Sequence, residues 1–218
     1  MNRRSFAELS LAGLAWPLVS RSGQAQAPSP LPALELAAKV DAAYGALQSF
    51  GATFKQGYAL YAKGKASTGS LLFERPDKMR WRYGNGNLVV AEGETIKVYE
   101  PAHKRMYLTA LDHSQFPVAL SFLMTPGGLA KAFDLSVPPA ARIAYRDGYV
   151  LSGRPRQPSP AFSQVLWFVQ PGGFRVRRVL VVDAQGNRNR FDFERPKANP
   201  TVPAGSFTFT PPPGTQII

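Results

Sequence analysis

The 218-residue chain has no cysteine and only two histidines. Disulfides, thiolate metal sites, catalytic thiols and an N-terminal lipidated cysteine are therefore excluded. His103 and His113 stand in or near expected turns, with no second histidine or carboxylate at ligand spacing, so no metal and no cofactor is expected. No serine sits in a nucleophile elbow, and Gly84-Asn85-Gly86 does not lead into a helical pattern, so it is no phosphate loop. With no acid/base pair in sight, the chain reads as something other than an enzyme. A run of about twenty apolar residues is missing too, which excludes a spanning helix. Acidic residues are scarce: 14 against 26 basic ones give a net charge of +12. That balance suits polyanions or anionic membrane surfaces, or else a solvated cationic outer face.

What is present begins with an export signal over residues 1–27. Arg3-Arg4 precede a modest apolar stretch, and Ala25-Gln26-Ala27 offers cleavage after Ala25 or Ala27. Arg3-Arg4-Ser5-Phe6 fits the twin-arginine route, and the general secretory route stays open. Residues 28–218 then form one domain, expected to be exported to the periplasm. From Pro32 a helix is expected to about Ser49, with Leu36, Val40, Tyr44 and Leu47 as its apolar stripe. From Phe50 the period becomes two, as Phe50, Ala52, Phe54, Gln56, Tyr58 and Leu60 fall on one side of a long strand. Turn pairs such as Asn85-Gly86 separate short strands into an antiparallel meander. Residues 116–133 interrupt it as two short helical pieces hinged at Thr125-Pro126-Gly127-Gly128. Apolar on more than one face, they suit a lid, with Val118, Phe122, Leu123, Met124 and Leu129 as its contacts. Strands resume at 142–145, 149–153, 162–169, 174–182 and 188–194, and a last strand is expected at 207–210.

Alternation in Leu71-Leu72-Phe73-Glu74-Arg75-Pro76 puts Leu71, Phe73 and Arg75 on one side. Lys78-Met79-Arg80-Trp81-Arg82-Tyr83 separates an apolar face from a cationic one, which argues against a nucleic-acid stacking platform. The same pattern assigns Phe54, Leu71, Phe73, Met79, Trp81, Tyr83, Val90, Val98, Met106 and Leu108 to one apolar concavity; the alternative is an ordinary sealed core. A buried guanidinium needs partners. Arg75 is therefore a latch to backbone carbonyls, a ligand anchor, or a rim arginine reaching water beside Pro76.

Phe50-Gly51-Ala52-Thr53-Phe54-Lys55-Gln56, Gly69-Ser70-Leu71-Leu72-Phe73-Glu74-Arg75-Pro76 with Trp81, Leu88-Val89-Val90-Ala91-Glu92-Gly93, and Phe207-Thr208-Phe209-Thr210-Pro211-Pro212-Pro213-Gly214 together resemble the periplasmic outer-membrane lipoprotein carrier family, LolA. The resemblance implies a mainly β (α+β) fold: a single curved antiparallel sheet, an unclosed half-barrel, with helices covering its concave apolar face. It implies a monomeric carrier of acylated lipoproteins, loaded by an inner-membrane ABC-transporter complex and unloaded at an outer-membrane receptor. Arg75 takes the place of the family's lid latch, and Met79 stands where the family usually has a larger apolar residue. The other reading is a relative of the same fold that carries or senses a different hydrophobic ligand.

Overall fold

The computed structural model describes residues 29–58, 66–124, 128–139, 145 and 147–218. The expected leader, Leu60, hinge residues 125–127 and most of the strand expected at 142–145 lie outside the described residues.

The first element is α1 (Ala33–Gly45), which follows Pro32 and carries Glu35 in its first turn, where a carboxylate favours the helix dipole. Leu36, Val40 and Tyr44 of its expected stripe are buried, but the helix ends at Gly45 rather than near Ser49, so Leu47 lies beyond it and is only half-buried. Six strands follow in a meander: β1 (Ser49–Tyr58), β2 (Ser67–Glu74), β3 (Lys78–Tyr83), β4 (Leu88–Glu92), β5 (Thr95–Glu100) and β6 (Arg105–Ala110). The chain then crosses through α2 (Gln115–Ala119), α3 (Ser121–Met124) and α4 (Leu129–Ala132). A second meander returns through β7 (Phe133–Ser136), β8 (Tyr149–Pro155), β9 (Gln164–Val169), β10 (Val176–Val182) and β11 (Arg188–Ala198), and β11 pairs with β1.

Among the described residues this makes one unclosed sheet of 12 strands, ordered β12-β6-β5-β4-β3-β2-β1-β11-β10-β9-β8-β7. It is mixed rather than purely antiparallel, because β12 (Gln216–Ile217) joins β6 in parallel. No strand forms at 207–210. Pro211-Pro212-Pro213 supplies no backbone N–H for a ladder, and pairing waits until Gln216. Phe133, expected at the end of a helix, instead opens β7.

Each face of the sheet has an apolar layer. On the inner face the main core joins Phe50, Phe54, Leu71, Phe73, Met79, Trp81, Val89, Ile96, Trp167, Val179, Phe191 and Phe193 to α1 and to the crossing helices. On the outer face Leu88, Val90 and Phe207 form a smaller cluster, flanked by Leu72, Tyr99, Val202 and Phe209.

Tyr44 fastens α1 to the sheet. Its hydroxyl accepts a hydrogen bond from the Val176 backbone N–H at 3.0 Å, and burial pushes its pKa up to about 12. The folded state thus favours the neutral phenol. That stability is fully present below the unfolded value of about 10 and is lost as pH rises through about 12. Tyr44→Phe orphans the Val176 N–H and should cost about 1–3 kcal/mol at neutral pH. Urea titrations at pH 7 and pH 11 should show this deficit shrinking at the higher pH; an unchanged deficit would detach the titration from Tyr44.

Candidate functional site: the inner face and its helical cover

Directly opposed residues in antiparallel strands share a face, so the register decides what looks inward. Leu71 opposes Trp81, and Trp81 opposes Val89, which opposes Val98. Phe73 opposes Met79, and Phe54 opposes Phe193. Phe54, Leu71, Phe73, Met79, Trp81, Tyr83 and Val98 are therefore brought together on the inner face. Trp81 lies at its centre, with ring centroids 4.9 Å from Phe54, 5.2 Å from Phe191 and 5.5 Å from Phe116.

Val90, Met106 and Leu108 do not join them. Val90 opposes Arg80 and sits in the outer cluster, Met106 opposes Tyr99, and Leu108 opposes Lys97 and is about half exposed. The apolar run Leu88-Val89-Val90 gives alternation nothing to select. The choice of Val89 over Val90 comes from its pairing with Trp81. The free edge of β6 is taken by the C-terminal segment, where the Ile218 N–H donates to the Met106 carbonyl at 2.9 Å. The inner face also holds Phe191 and Phe193 of β11, which the sequence reading does not assign to it, although their alternation with Arg190, Asp192 and Glu194 carries that signal.

The cover is closely packed. Val118, Phe122, Leu123 and Leu129 are all buried in the main core, and Phe122 lies 4.7 Å from the Tyr44 ring and 6.1 Å from Phe193. Met124 ends α3. The Leu129 backbone N–H bonds to Asp41 of α1, whose pKa burial raises. The cover thus touches the sheet mainly through aromatic and aliphatic contacts, with few polar ties.

Arg75 ties to the sheet not the cover itself but α1, against which α3 and α4 pack. Its Nη2 donates to the Tyr44 carbonyl at 3.1 Å, while Nε is buried without a partner. Burial lowers its pKa. The guanidinium therefore bonds a backbone carbonyl of an overlying helix, but that helix is α1, outside the expected lid segment 116–133. The acceptor is held in place in turn by the Tyr44 hydroxyl at β10.

A second tie crosses the inner face as a chain of amides. Tyr83 Oη donates to Gln56 Oε1 at 2.5 Å, and Gln56 Nε2 donates to Asn189 Oδ1 at 3.0 Å. Asn189 Nδ2 donates to Gln115 Oε1 of α2 at 3.0 Å, and Gln115 Nε2 reaches the Ala161 carbonyl at 3.1 Å. The sequence marked Gln56 as inward-facing but held no sign of these partners. Asn189 is 133 residues from Gln56 along the chain and 74 from Gln115. A crevice of about 720 Å³, lined by Leu111, Ser114, Pro117, Val118, Pro160 and Phe162 among others, opens between α2 and the β8–β9 loop.

The outer face carries Arg80, Arg178 and Arg190. Arg80 Nη1 donates to the Ser206 carbonyl at 2.7 Å beneath the C-terminal segment, and Arg178 and Arg190 both bond Asp192. Aromatic and guanidinium groups of β3 thus lie on opposite sides. Among the described residues, no group of three or more histidine, aspartate or glutamate side chains is placed to hold a metal ion, and no helix is long and apolar enough to cross a membrane.

Residues 45–210 match the family described as "Outer membrane lipoprotein carrier protein LolA". An outer-membrane lipoprotein carrier protein of Bordetella avium is 32% identical over 156 residues, covering 70% of this chain and 71% of its own length. One from Methylibium petroleiphilum is 28% identical over 193 residues, covering 79% of this chain and 87% of its own. Among solved structures, an uncharacterized conserved protein from Thermus thermophilus superposes with a TM-score of 0.50 at 12% identity, covering 84% and 96% of the two chains, a likeness of fold alone.

Proposed function

The chain belongs to the LolA family of outer-membrane lipoprotein carriers, and from that premise we propose that it carries acylated lipoproteins across the periplasm in the space its helical cover now fills. The observation that carries this reading is the cover itself. Three helices of five, four and four residues lie over an aromatic and aliphatic sheet face, held by a few polar ties. Helices this short are only a turn or so each, and their stability comes from packing rather than from their own hydrogen bonds. Lifting them exposes a surface that acyl chains can replace contact for contact.

The energetics suit a carrier. Each buried methylene contributes about 0.8 kcal/mol, so a long acyl chain is far too costly to leave in water. Each tie to be broken is worth a net ~0.5–3 kcal/mol, which keeps opening and closing reversible. Phe54, Leu71, Phe73, Met79, Trp81, Tyr83 and Val98 form the acyl-binding surface, and Val118, Phe122, Leu123, Met124 and Leu129 belong to the moving cover. Loading from an inner-membrane ABC-transporter complex and delivery to an outer-membrane receptor complete the cycle, with the protein acting as a soluble monomer without catalysis.

The test is cofractionation with a purified lipoprotein, compared with the same lipoprotein lacking its acylated cysteine. The acylated form alone should comigrate, and amide exchange in α2–α4 should accelerate on binding. Equal behaviour of the two forms would overturn the reading. A complex formed with phospholipid but not with lipoprotein would favour a lipid carrier of the same fold.

A further inference from the structure

Resting on the carrier reading, we propose that Asn189, backed by Gln56, is a carbonyl-binding site inside the hollow, reading the ester or amide carbonyls at the head of the acyl chains. Both side chains are nearly inaccessible, at 4% and 3% exposure, within a layer of phenylalanine, tryptophan and tyrosine. Amides buried in such surroundings are tolerated only when their polar atoms are bonded. Here they are, and the bonding runs in one direction. Each amide oxygen accepts and each amide nitrogen donates onward, from Tyr83 through Gln56 and Asn189 to Gln115 and the Ala161 carbonyl.

The members of this chain belong to different parts of the molecule. Tyr83, Gln56 and Asn189 sit on β3, β1 and β11, and stay with the sheet. Gln115 opens α2, and so leaves with the cover. When α2 lifts, the Tyr58 hydroxyl stays beside the Asn189 amide, and the Nδ2 N–H that met Gln115 faces the hollow without that acceptor. A carbonyl oxygen completes it; an ammonium or a bare hydrocarbon does not. Acylated lipoproteins carry such oxygens where their chains join the head group.

The surroundings orient the ligand. Asn189 opposes Tyr58 near the end of β1, while Phe191, Phe193, Phe54 and Trp81 continue the inner face beyond it. Carbonyls held at Asn189 let the chains run along that aromatic surface. The crevice beside Gln115 is walled by Ser114 and Pro117 on one side and by Pro160 and Phe162 on the other, the neighbours of the Gln115–Ala161 bond. It offers the attached polypeptide a way out. Gln115 and the cargo thus compete for one donor, which couples cover opening to recognition of an acylated head group rather than of any hydrocarbon.

The experiment displaces N-phenylnaphthylamine, an apolar fluorophore with no carbonyl, from the full chain. The competitors are dipalmitoylglycerol, with two ester carbonyls, and dihexadecylglycerol, its diether counterpart. The diester should compete about tenfold more effectively, the worth of one well-placed neutral hydrogen bond. Asn189→Leu should bring the ratio to about one; Gln56 Nε2 keeps a partner in Tyr58 Oη at 3.2 Å, which favours a folded variant. Gln115→Leu, which alters only the cover, should strengthen both competitors and keep the ratio. Equal competition by diester and diether in the parent overturns the proposal and leaves the carrier reading standing. So does a ratio that survives Asn189→Leu or vanishes in Gln115→Leu. Failure of both lipids to displace the probe overturns the carrier reading as well.

Discussion

Arg75→Leu should leave the protein folded but slow the hand-over of bound lipoprotein to an acceptor by about ten- to a hundredfold. The range follows from the ~1.5–3 kcal/mol of a hydrogen bond to a charged group. Arg75 ties α1 to the sheet, and α3 and α4 of the cover pack against α1, so the bond steadies the surface on which the cover closes and favours the covered arrangement over the opened one. Removing it shifts the balance toward the arrangement that holds cargo. The fold should survive for two reasons. The Tyr44 carbonyl keeps the Leu47 N–H, at 3.0 Å, as a partner. Leucine also relieves the burial that already works against the arginine's charge. The measurement is a two-step transfer: load the variant with a lipoprotein, add the downstream acceptor, and follow movement with time. Loading should match the parent. Hand-over at the parent rate would remove Arg75 from the mechanism and leave the amide chain as the principal polar restraint.

Gly69→Ala should be among the most damaging single-methyl changes in the molecule. A Cβ there would stand 2.1 Å from the Arg82 carbonyl oxygen and 2.7 Å from Cζ of Phe54. Neither neighbour can yield cheaply. The carbonyl belongs to β3, which pairs with β2 from Gly69–Tyr83 to Glu74–Lys78, and the Phe54 ring is wedged 4.9 Å from Trp81 and 5.0 Å from Tyr83. Relief requires parting β2 from β3 or displacing the aromatic centre, at a cost of about 3 kcal/mol. Gly84→Ala is the control. Its new Cβ would meet nothing closer than Thr68 O at 3.6 Å, an ordinary contact, so the change should stay within about 0.5 kcal/mol. Urea midpoints of the two variants should differ clearly; coincident midpoints would show that the strands adjust more freely than their pairing implies.

The sequence was most readable where one strand's own alternation sufficed. Met79, Trp81 and Tyr83 alternate with three cations, which leaves one side for each set, and the structure sends them to opposite faces. The α1 stripe was equally clear, because Leu36, Val40 and Tyr44 recur at helical spacing. Legibility failed where both parities were apolar. Val90, Met106 and Leu108 look like inner-face residues until the C-terminal segment is seen to lay Phe207 and Phe209 on the outside of β4 and β5 and to pair β12 with the edge of β6. That layer is invisible to local pattern, since it follows from where the chain's end travels. The candidate site divides in the same way. Arg75 could be picked out as an arginine among apolar neighbours, whereas its acceptor on α1 and the Gln56–Asn189–Gln115 chain arise from contacts between distant segments.

The C-terminal segment has a mechanical consequence for a protein whose inner layer is meant to move. A sheet packed on one side alone loses its backing when that side is cleared, and its strands then have only their ladders to keep them in register. Here the segment past Ala198 acts as a splint on the far side. It is pinned by Ser49 Oγ to the Pro200 carbonyl, by Arg80 to Ser206 and by Lys97 Nζ to the Phe209 carbonyl, and it ends by lengthening the sheet at β6. Strands β1 and β3–β6 therefore stay supported from outside while the helices on the inside come and go, so the cradle can hold its shape through a cycle that empties and refills it.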